Sequence, residues 1–205
     1  MVYTANFENW DSGTKGAPYP ARLTFDPATR QYHIALTDAS RAYTYQTYTP
    51  EARYFADFRL RIDVRRIAGP ESGGGYGVLF RALPRGPSDK ASPDYAFIVR
   101  PQEQSFALNQ LSANGSAMNV GKGTTPAIKA GTELNHLEVI AQGDRITLGV
   151  NDTTLGAYTA SITQAGAIGL IVSSPPKPTG TDGMEAAFSN LLISPLPADT
   201  SNSHQ

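Results

Sequence analysis

Residues 58–65, Phe-Arg-Leu-Arg-Ile-Asp-Val-Arg, alternate strictly between apolar and polar side chains. Phe58, Leu60, Ile62 and Val64 share one parity, and three arginines and an aspartate occupy the other. Successive side chains of a β-strand point to opposite faces of a sheet, so this pattern predicts a half-buried strand. No stretch of twelve or more residues keeps a helical period. The sequence therefore predicts an all-β protein.

Short segments of the same kind recur along the chain, with turn residues between them. Gly73-Gly74-Gly75 and Asn114-Gly115 are turn sequences, and Gly143-Asp144 joins segments 137–141 and 146–150 into a predicted tight hairpin. About a dozen short strands separated by turns predict a sandwich or barrel. The other predicted strands cover residues 3–7, 32–37, 41–48, 76–82, 95–100, 105–111, 154–159, 167–173 and 186–194.

The chain of 205 residues is long enough to bury a stable core without a metal or a disulfide. We predict one domain over residues 1–196. Residues 197–205 follow Pro195-Leu196 and are mostly polar, which predicts a disordered tail or linker.

Composition and charge limit the partners. The formal net charge is −1, which argues against nucleic acid, because binding to a duplex depends on neutralising phosphates. There is no cysteine, so thiolate nucleophiles and disulfides are excluded. No apolar run is long enough to predict insertion into a membrane. We expect an extracellular or cell-surface protein whose signal peptide lies outside this sequence.

Several segments together resemble the concanavalin A-like lectin/glucanase superfamily, particularly its laminin-G-like and 3-keto-disaccharide-hydrolase-like bacterial members. The resemblance implies a jelly roll of two antiparallel sheets, one concave and one convex. It also implies a glycan or polysaccharide ligand on the concave sheet or its rim, an exported protein and, in many members, one structural calcium ion. The segments that carry it are FADFRLRIDV (55–64), GGGYGVLFRA (73–82), DYAFIVR (94–100), LNHLEVIAQGDRITLGVNDTTLG (134–156), GAIGLIVSS (166–174) and AAFSNLLISPLP (186–197).

The motifs that carry catalysis in this superfamily are missing. Glycoside hydrolysis usually needs two carboxylates, and the E-x-D-x-x-E arrangement of the laminarinase-like enzymes does not occur here. His33, His136 and His204 are scattered and form no recognisable triad or metal motif. With these motifs absent, the resemblance implies a non-catalytic carbohydrate-binding or adhesive module. A divergent glycoside hydrolase or lyase, and a structural or protein-binding ectodomain, remain as alternatives.

Planar polar side chains and aromatic rings are the groups that recognise sugars. Arg81, Arg100 and Asn109 are predicted to alternate away from the core on neighbouring strands, and Tyr76 and Tyr95 begin two of these strands. We predict that these five residues line a ligand groove, with an ordinary solvated surface as the alternative. A separate arginine cluster (Arg59, Arg61, Arg65 and Arg66) is interpreted as a solvated strand face, with an anion site as the alternative.

A calcium site is the one cofactor that the sequence allows. Ca²⁺ takes six to eight oxygen ligands, many of them backbone carbonyls. Glu8, Asp11, Asp182 and Asn190 come from the first and last segments, which the resemblance places side by side. We predict that any structural calcium binds there, and ordinary turn polarity is the alternative. No cofactor is required by the sequence.

Overall fold

A computed structural model describes residues 2–38, 40, 42–50, 53–69, 73–82, 94–112, 116–175 and 183–197. This part of the chain forms fifteen strands and no helix, which confirms the all-β prediction, and it offers no helical segment that could cross a membrane. The strands are β1 Tyr3–Thr4, β2 Gly13–Lys15, β3 Ala21–Asp26, β4 Gln31–Leu36, β5 Thr44–Tyr48, β6 Phe58–Ala68, β7 Gly75–Ala82, β8 Asp94–Arg100, β9 Ser105–Leu111, β10 Ala117–Thr124, β11 Asn135–Gln142, β12 Arg145–Val150, β13 Thr153–Thr159, β14 Ala167–Ser173 and β15 Glu185–Pro195.

The strands form two antiparallel sheets. The nine-stranded sheet has the order β13-β12-β11-β6-β15-β4-β3-β2, and β1 pairs with β15. The six-stranded sheet has the order β10-β9-β8-β7-β14-β5. Strands distant in sequence, such as β6 and β15, are neighbours in space, as a jelly roll requires. The predicted two-sheet jelly-roll sandwich is confirmed.

The hydrophobic core lies between the sheets. All four apolar residues of the 58–65 stretch are at most 1% exposed on β6. The ring of Phe58 meets that of Phe80 on the six-stranded sheet at 6.0 Å between centroids, and Phe80 stacks on Tyr95 at 5.5 Å. Fully burying a side chain of this size contributes about 1.5–3 kcal/mol. The period-two pattern of the sequence therefore produces the core directly.

Most predicted strands form, and the differences have local causes. The hairpin is confirmed, since Leu137 pairs with Val150 and Gln142 with Arg145 around the two-residue turn. The predicted strand at residues 3–7 ends at Thr4 in the structure, and Phe7 has a left-handed backbone with φ 62°. Three strands, β2, β3 and β10, were not predicted.

The predicted tail, residues 197–205, lies outside the described residues except for Pro197. Its carbonyl accepts a hydrogen bond from Gln142 Nε2 at 3.3 Å. The backbone N–H of Leu196 donates to the carbonyl of Asp57 at 3.0 Å. The chain is therefore still hydrogen-bonded to the rest of the domain at residues 196 and 197.

Candidate functional site

A groove of about 580 Å³ lies over β8, β9 and β10 on the outer face of the six-stranded sheet, away from the core. Phe106 and Leu108 of β9 point into the core, so Ser105, Ala107 and Asn109 face outward between them. We call this surface the six-strand groove. Its lining consists of Arg100, Ser105, Phe106, Ala107, Asn109, Asn119, Lys122, Gly123 and Thr124.

Two asparagine side chains face each other across the groove. Asn109 and Asn119 are direct cross-strand partners, and Asn119 Nδ2 donates to Asn109 Oδ1 at 3.1 Å and to the carbonyl of Gly121 at 3.3 Å. A bulge after Asn119 then shifts the register, so that Lys122 lies opposite Ala107. The hydrogen bond between the Asn119 and Asn109 side chains fixes the orientation of both amides. It leaves Asn109 Nδ2 and Asn119 Oδ1 without a partner among the described residues. A donor and an acceptor are thereby presented to a ligand.

Two cations complete the groove. Arg100 is half-buried, and its stem passes over Gly75, where an added Cβ would lie 3.2 Å from Arg100 Cγ. Within the described ranges, neither Arg100 nor Lys122 forms a side-chain hydrogen bond or an ion pair, and the lining contains no carboxylate. The groove is therefore positively charged and rich in hydrogen-bond donors. Such a surface can bind hydroxyl or anionic groups.

The other end of β8 carries an acidic residue. Asp94 is 2% exposed, and its Oδ2 accepts a hydrogen bond from the Tyr48 hydroxyl at 3.1 Å. Asp94 and Arg100 are six residues apart on one strand, a separation of about 20 Å at 3.4 Å per residue. A small apolar cluster made of Leu79, Ala96, Ile98 and Ile171 lies on the same face. The carboxylate is consequently remote from the cationic groove.

Two of the five predicted ligand residues, Arg100 and Asn109, lie in the six-strand groove. Tyr76 and Tyr95 were also predicted to line the ligand groove, which is wrong, because their side chains lie on the core-facing side of β7 and β8. Both are fully buried. Burial raises the pKa of Tyr76 to about 12, and its hydroxyl accepts a hydrogen bond from Asn135 Nδ2 at 2.9 Å. The Tyr95 hydroxyl accepts from the N–H of Ser161 at 2.8 Å.

Arg81 is also wrong as a predicted ligand residue. It has a left-handed backbone, φ 52°, beside a register shift between β7 and β14, and its side chain is fully buried. The guanidinium donates to the carbonyls of Ala56 at 2.9 Å, Gly143 at 2.8 Å and Ile162 at 2.8 Å. Burial lowers its pKa, although the nearby Asp57 acts in the opposite direction. Arg81 is a structural anchor, and a bulge is the reason why simple alternation misplaced it.

The predicted calcium ligands have separate partners. Asp11 forms an ion pair with Lys15 at 2.6 Å, Glu8 accepts a hydrogen bond from the Asn6 side chain at 3.3 Å, and Asn190 donates to Asp63 at 2.7 Å. Asp182 lies outside the described residues. In the described part of the chain, no three His, Cys, Asp or Glu residues are grouped to hold a metal. Calcium binding at this end of the chain stays a prediction.

Sequence reasoning missed Asn119 and Lys122, because β10 shows no alternation of apolar residues. The one available signal was the Asn114-Gly115 turn, which implies a hairpin partner for the strand before it. Reading the segment after that turn as a strand would have placed Asn119 on a strand paired with β9.

Comparisons with solved structures support the fold. The carbohydrate-binding module CBM66 from Bacillus subtilis matches with a TM-score of 0.54 and 18% identity, over 94% of this chain and 95% of that chain. The β-glucanase of Bacillus licheniformis matches with a TM-score of 0.66 and 12% identity, over 96% and 98%. The carbohydrate recognition domain of Emp47p matches with a TM-score of 0.59 and 10% identity, over 91% and 88%. At these identities, the similarity shows the jelly-roll fold alone.

A search of curated proteins finds no match to the sequence. A family model does match, over residues 5–193, which is nearly the whole chain. That model describes the 3-keto-alpha-glucoside-1,2-lyase-like domain. The match agrees with the resemblance deduced from the strand and turn segments. The chain belongs to the family of 3-keto-alpha-glucoside-1,2-lyase-like domains.

Proposed function

We propose that this protein is a non-catalytic carbohydrate-binding module that holds a glycan in the six-strand groove. The observation that carries the proposal is the pairing of Asn109 and Asn119 beside two cations, Arg100 and Lys122, that have no partner among the described residues. A carbohydrate-binding module and a carbohydrate recognition domain among the solved structures of the same fold support it.

The physical case rests on preorganisation. A sugar hydroxyl donates one hydrogen bond and accepts others, so a binding surface must offer both kinds of group in fixed positions. The Asn109–Asn119 bond holds a free donor and a free acceptor in place before the ligand arrives. Because these side chains are already ordered, binding costs little additional conformational entropy. The planar guanidinium of Arg100 can then donate two parallel hydrogen bonds to neighbouring oxygens.

The enzymatic alternative needs groups that this groove lacks. The family description and the β-glucanase neighbour are reasons to consider a lyase or a hydrolase. Glycoside hydrolysis usually places two carboxylates about 5–10 Å apart. The groove lining contains no carboxylate, and Asp94 lies near the opposite end of β8. This arrangement favours binding over catalysis at this site.

The third possibility is a structural or protein-binding ectodomain. Such a domain has no need for oriented amides beside unpaired cations, whereas a glycan site does. We propose further that the module acts outside the cell or at its surface, where polysaccharides are accessible. The carbohydrate-binding module and the carbohydrate recognition domain among the solved structures of the same fold support this placement.

A glycan array tests the proposal, run with calcium and again with a chelator. We expect reproducible binding to one glycan class, weakened at least about tenfold, or about 1.4 kcal/mol, by Arg100→Ala or Asn109→Ala. Arg145→Ala is the matched control, because Arg145 is exposed at the start of β12 on the other sheet. An array with no binding by the folded protein would contradict the proposal. Turnover of a bound glycan would replace it with the enzymatic alternative.

A further inference from the structure

A second groove, of about 420 Å³, lies on the opposite side of the molecule, on the outer face of the nine-stranded sheet. It crosses β6, β11 and β12, and Gly149 of β12 leaves space beside Glu138 of β11. An added Cβ at Gly149 would lie 3.5 Å from the Cβ of Glu138. We call this surface the nine-strand groove. It shares no residue with the six-strand groove.

A histidine is held in one orientation at the edge of this groove. Its Nδ1 lies 2.5 Å from Asp63 Oδ1, and the two residues are direct cross-strand partners on β11 and β6. A carboxylate only accepts hydrogen bonds, so the hydrogen of this bond belongs to Nδ1 of His136. The His136 side chain is 53% exposed, and its Nε2 has no partner among the described residues. That nitrogen is available to a ligand.

The position of His136 is supported from β15 and from the turn after β12. Asn190 Nδ2 donates to the second oxygen of Asp63 at 2.7 Å, and Asn190 reaches this position from a bulge in β15 with a left-handed backbone, φ 54°. The N–H of His136 donates to Asn151 Oδ1 at 2.8 Å. A non-glycine residue in this backbone conformation costs of order 1 kcal/mol. Such strain is common where a side chain must be positioned for binding.

The neighbouring cross-strand pair consists of Glu138 on β11 and Arg61 on β6, and the Glu138 carboxylate accepts hydrogen bonds from two arginines. Arg59 Nε and Arg61 Nε both donate to Glu138 Oε1, at 2.7 and 2.8 Å. Partial burial acts to raise the pKa of Glu138, but these two hydrogen bonds outweigh it, and the pKa lies below its ordinary value. Glu138 is therefore an ionised acceptor, and its Oε2 points toward Gly149. The terminal nitrogens of both arginines have no partner among the described residues.

The nine-strand groove carries charges of both signs, unlike the six-strand groove. Its lining includes the guanidiniums of Arg59 and Arg61 and the carboxylates of Asp63, Glu138 and Asp152. A strongly anionic ligand would meet these carboxylates, and a cation would meet the guanidiniums. A neutral ligand with adjacent hydroxyl groups can instead donate to Glu138 Oε2 while it accepts from the arginines and reaches His136 Nε2. Alternating donors and acceptors of this kind match a vicinal diol.

We propose that the nine-strand groove is a second binding site, for a neutral saccharide, with Glu138, Arg61 and His136 as the contacting residues. The site lies on the sheet opposite the first one and does not depend on it. A module of this design has a saccharide site on each face.

Nuclear magnetic resonance of the full chain with ¹⁵N-labelled histidine tests the proposal. Maltose, cellobiose, laminaribiose and sucrose are the probes, each titrated to millimolar concentrations. We expect at least one of them to shift the Nε2 resonance of His136 saturably. His33 is the internal control, because it is also bonded through Nδ1 to a carboxylate, Glu185, at 2.8 Å on the same face, but lies outside the groove.

Two variants identify the contacts. Glu138→Gln should weaken saccharide binding at least about tenfold. Gly149→Val should abolish binding, because its side chain fills the groove. The histidine spectra report whether each variant is folded. No shift of His136 with any probe would overturn the proposal, as would equal shifts of His136 and His33, or unchanged affinity in both variants. The side-chain amide signals of Asn109 report separately on the six-strand groove, so failure of one site is distinguishable from failure of the other.

Discussion

The ring of Tyr158, on β13 of the nine-stranded sheet, occupies the space into which a side chain at Gly121, on β10 of the six-stranded sheet, would project. A Cβ added at Gly121 would lie 2.0 Å from Tyr158 Cε1. The two edge strands thus close one side of the sandwich through a glycine and an aromatic ring. This closure lies one residue from Lys122 and the six-strand groove.

Substitution of Gly121 tests the closure. We expect Gly121→Ala to lower the free energy of unfolding by about 1–3 kcal/mol, because the ring must move to relieve the overlap. Gly16→Ala is the control, since nothing lies within 4 Å of the added Cβ at that position. Urea unfolding of both variants measures the difference. Equal stability of the two variants would mean that Tyr158 moves aside without cost.

Arg81 should be among the most sensitive positions of the domain. Arg81→Met leaves the carbonyls of three half-buried residues without their donor. It also removes the cation that lies 3.5 Å from the Asp57 carboxylate. Removing one partner of a buried charged network costs about 3–5 kcal/mol. Arg145→Met makes the same chemical change at an exposed position and should cost less than about 0.5 kcal/mol. Chemical denaturation of the two variants measures the loss in the free energy of unfolding. Equal losses for Arg81→Met and Arg145→Met would contradict the role of Arg81 as a structural anchor.

The Tyr95 hydroxyl should matter for stability and not for ligand binding. It accepts hydrogen bonds from the N–H groups of Ser161 and Ile162, at 2.8 and 3.2 Å. Tyr95→Phe leaves both donors unsatisfied, at a cost of about 1–3 kcal/mol. Tyr19→Phe, at an exposed ring, is the control. Thermal unfolding measures the loss, and a glycan-binding assay on the same samples should show unchanged affinity.

The hydrogen bond between His33 and Glu185 should make stability depend on pH in the acidic range. The hydrogen bond from His33, at 2.8 Å, lowers the pKa of Glu185 below its ordinary value of 4.5, although partial burial opposes it. The folded state therefore favours the carboxylate, and its stabilisation is present above pH 4.5 and lost as the pH falls through the folded pKa.

Comparison of the protein with Glu185→Gln measures this contribution. We expect the variant to be less stable by at most about 1 kcal/mol near neutral pH, with the difference shrinking in acid. Urea unfolding across a pH series provides the values. A stability difference that grows as the pH falls below 4.5 would contradict the assigned direction.

The sequence predicts the sandwich well, because strict alternation, as in residues 58–65, maps onto one buried face. It predicts side-chain placement only where the alternation is unbroken. Arg100 and Asn109 lie on regular strands and face outward as predicted, whereas Arg81 lies at a bulge that turns its side chain inward. Parity alone would have assigned Tyr76 and Tyr95 to the core.

The site depends on contacts that no local pattern encodes. Asn119 has its role only because β10 folds back on β9, and His136 is oriented by Asp63, 73 residues earlier in the chain. The left-handed backbone of Asn190 is set by the register shift between β15 and β6. Three-dimensional pairing, and not composition, decides which polar residues form a groove.

Arg81 also constrains how this domain can diversify. Its guanidinium holds one carbonyl from each of three connections, at Ala56 before β6, Gly143 between β11 and β12, and Ile162 before β14. An insertion or deletion in any of them would move its carbonyl off a donor that has fixed geometry. Related sequences that keep this arginine should therefore conserve the lengths of all three loops together, and grafting of new loops will succeed more readily elsewhere on the scaffold.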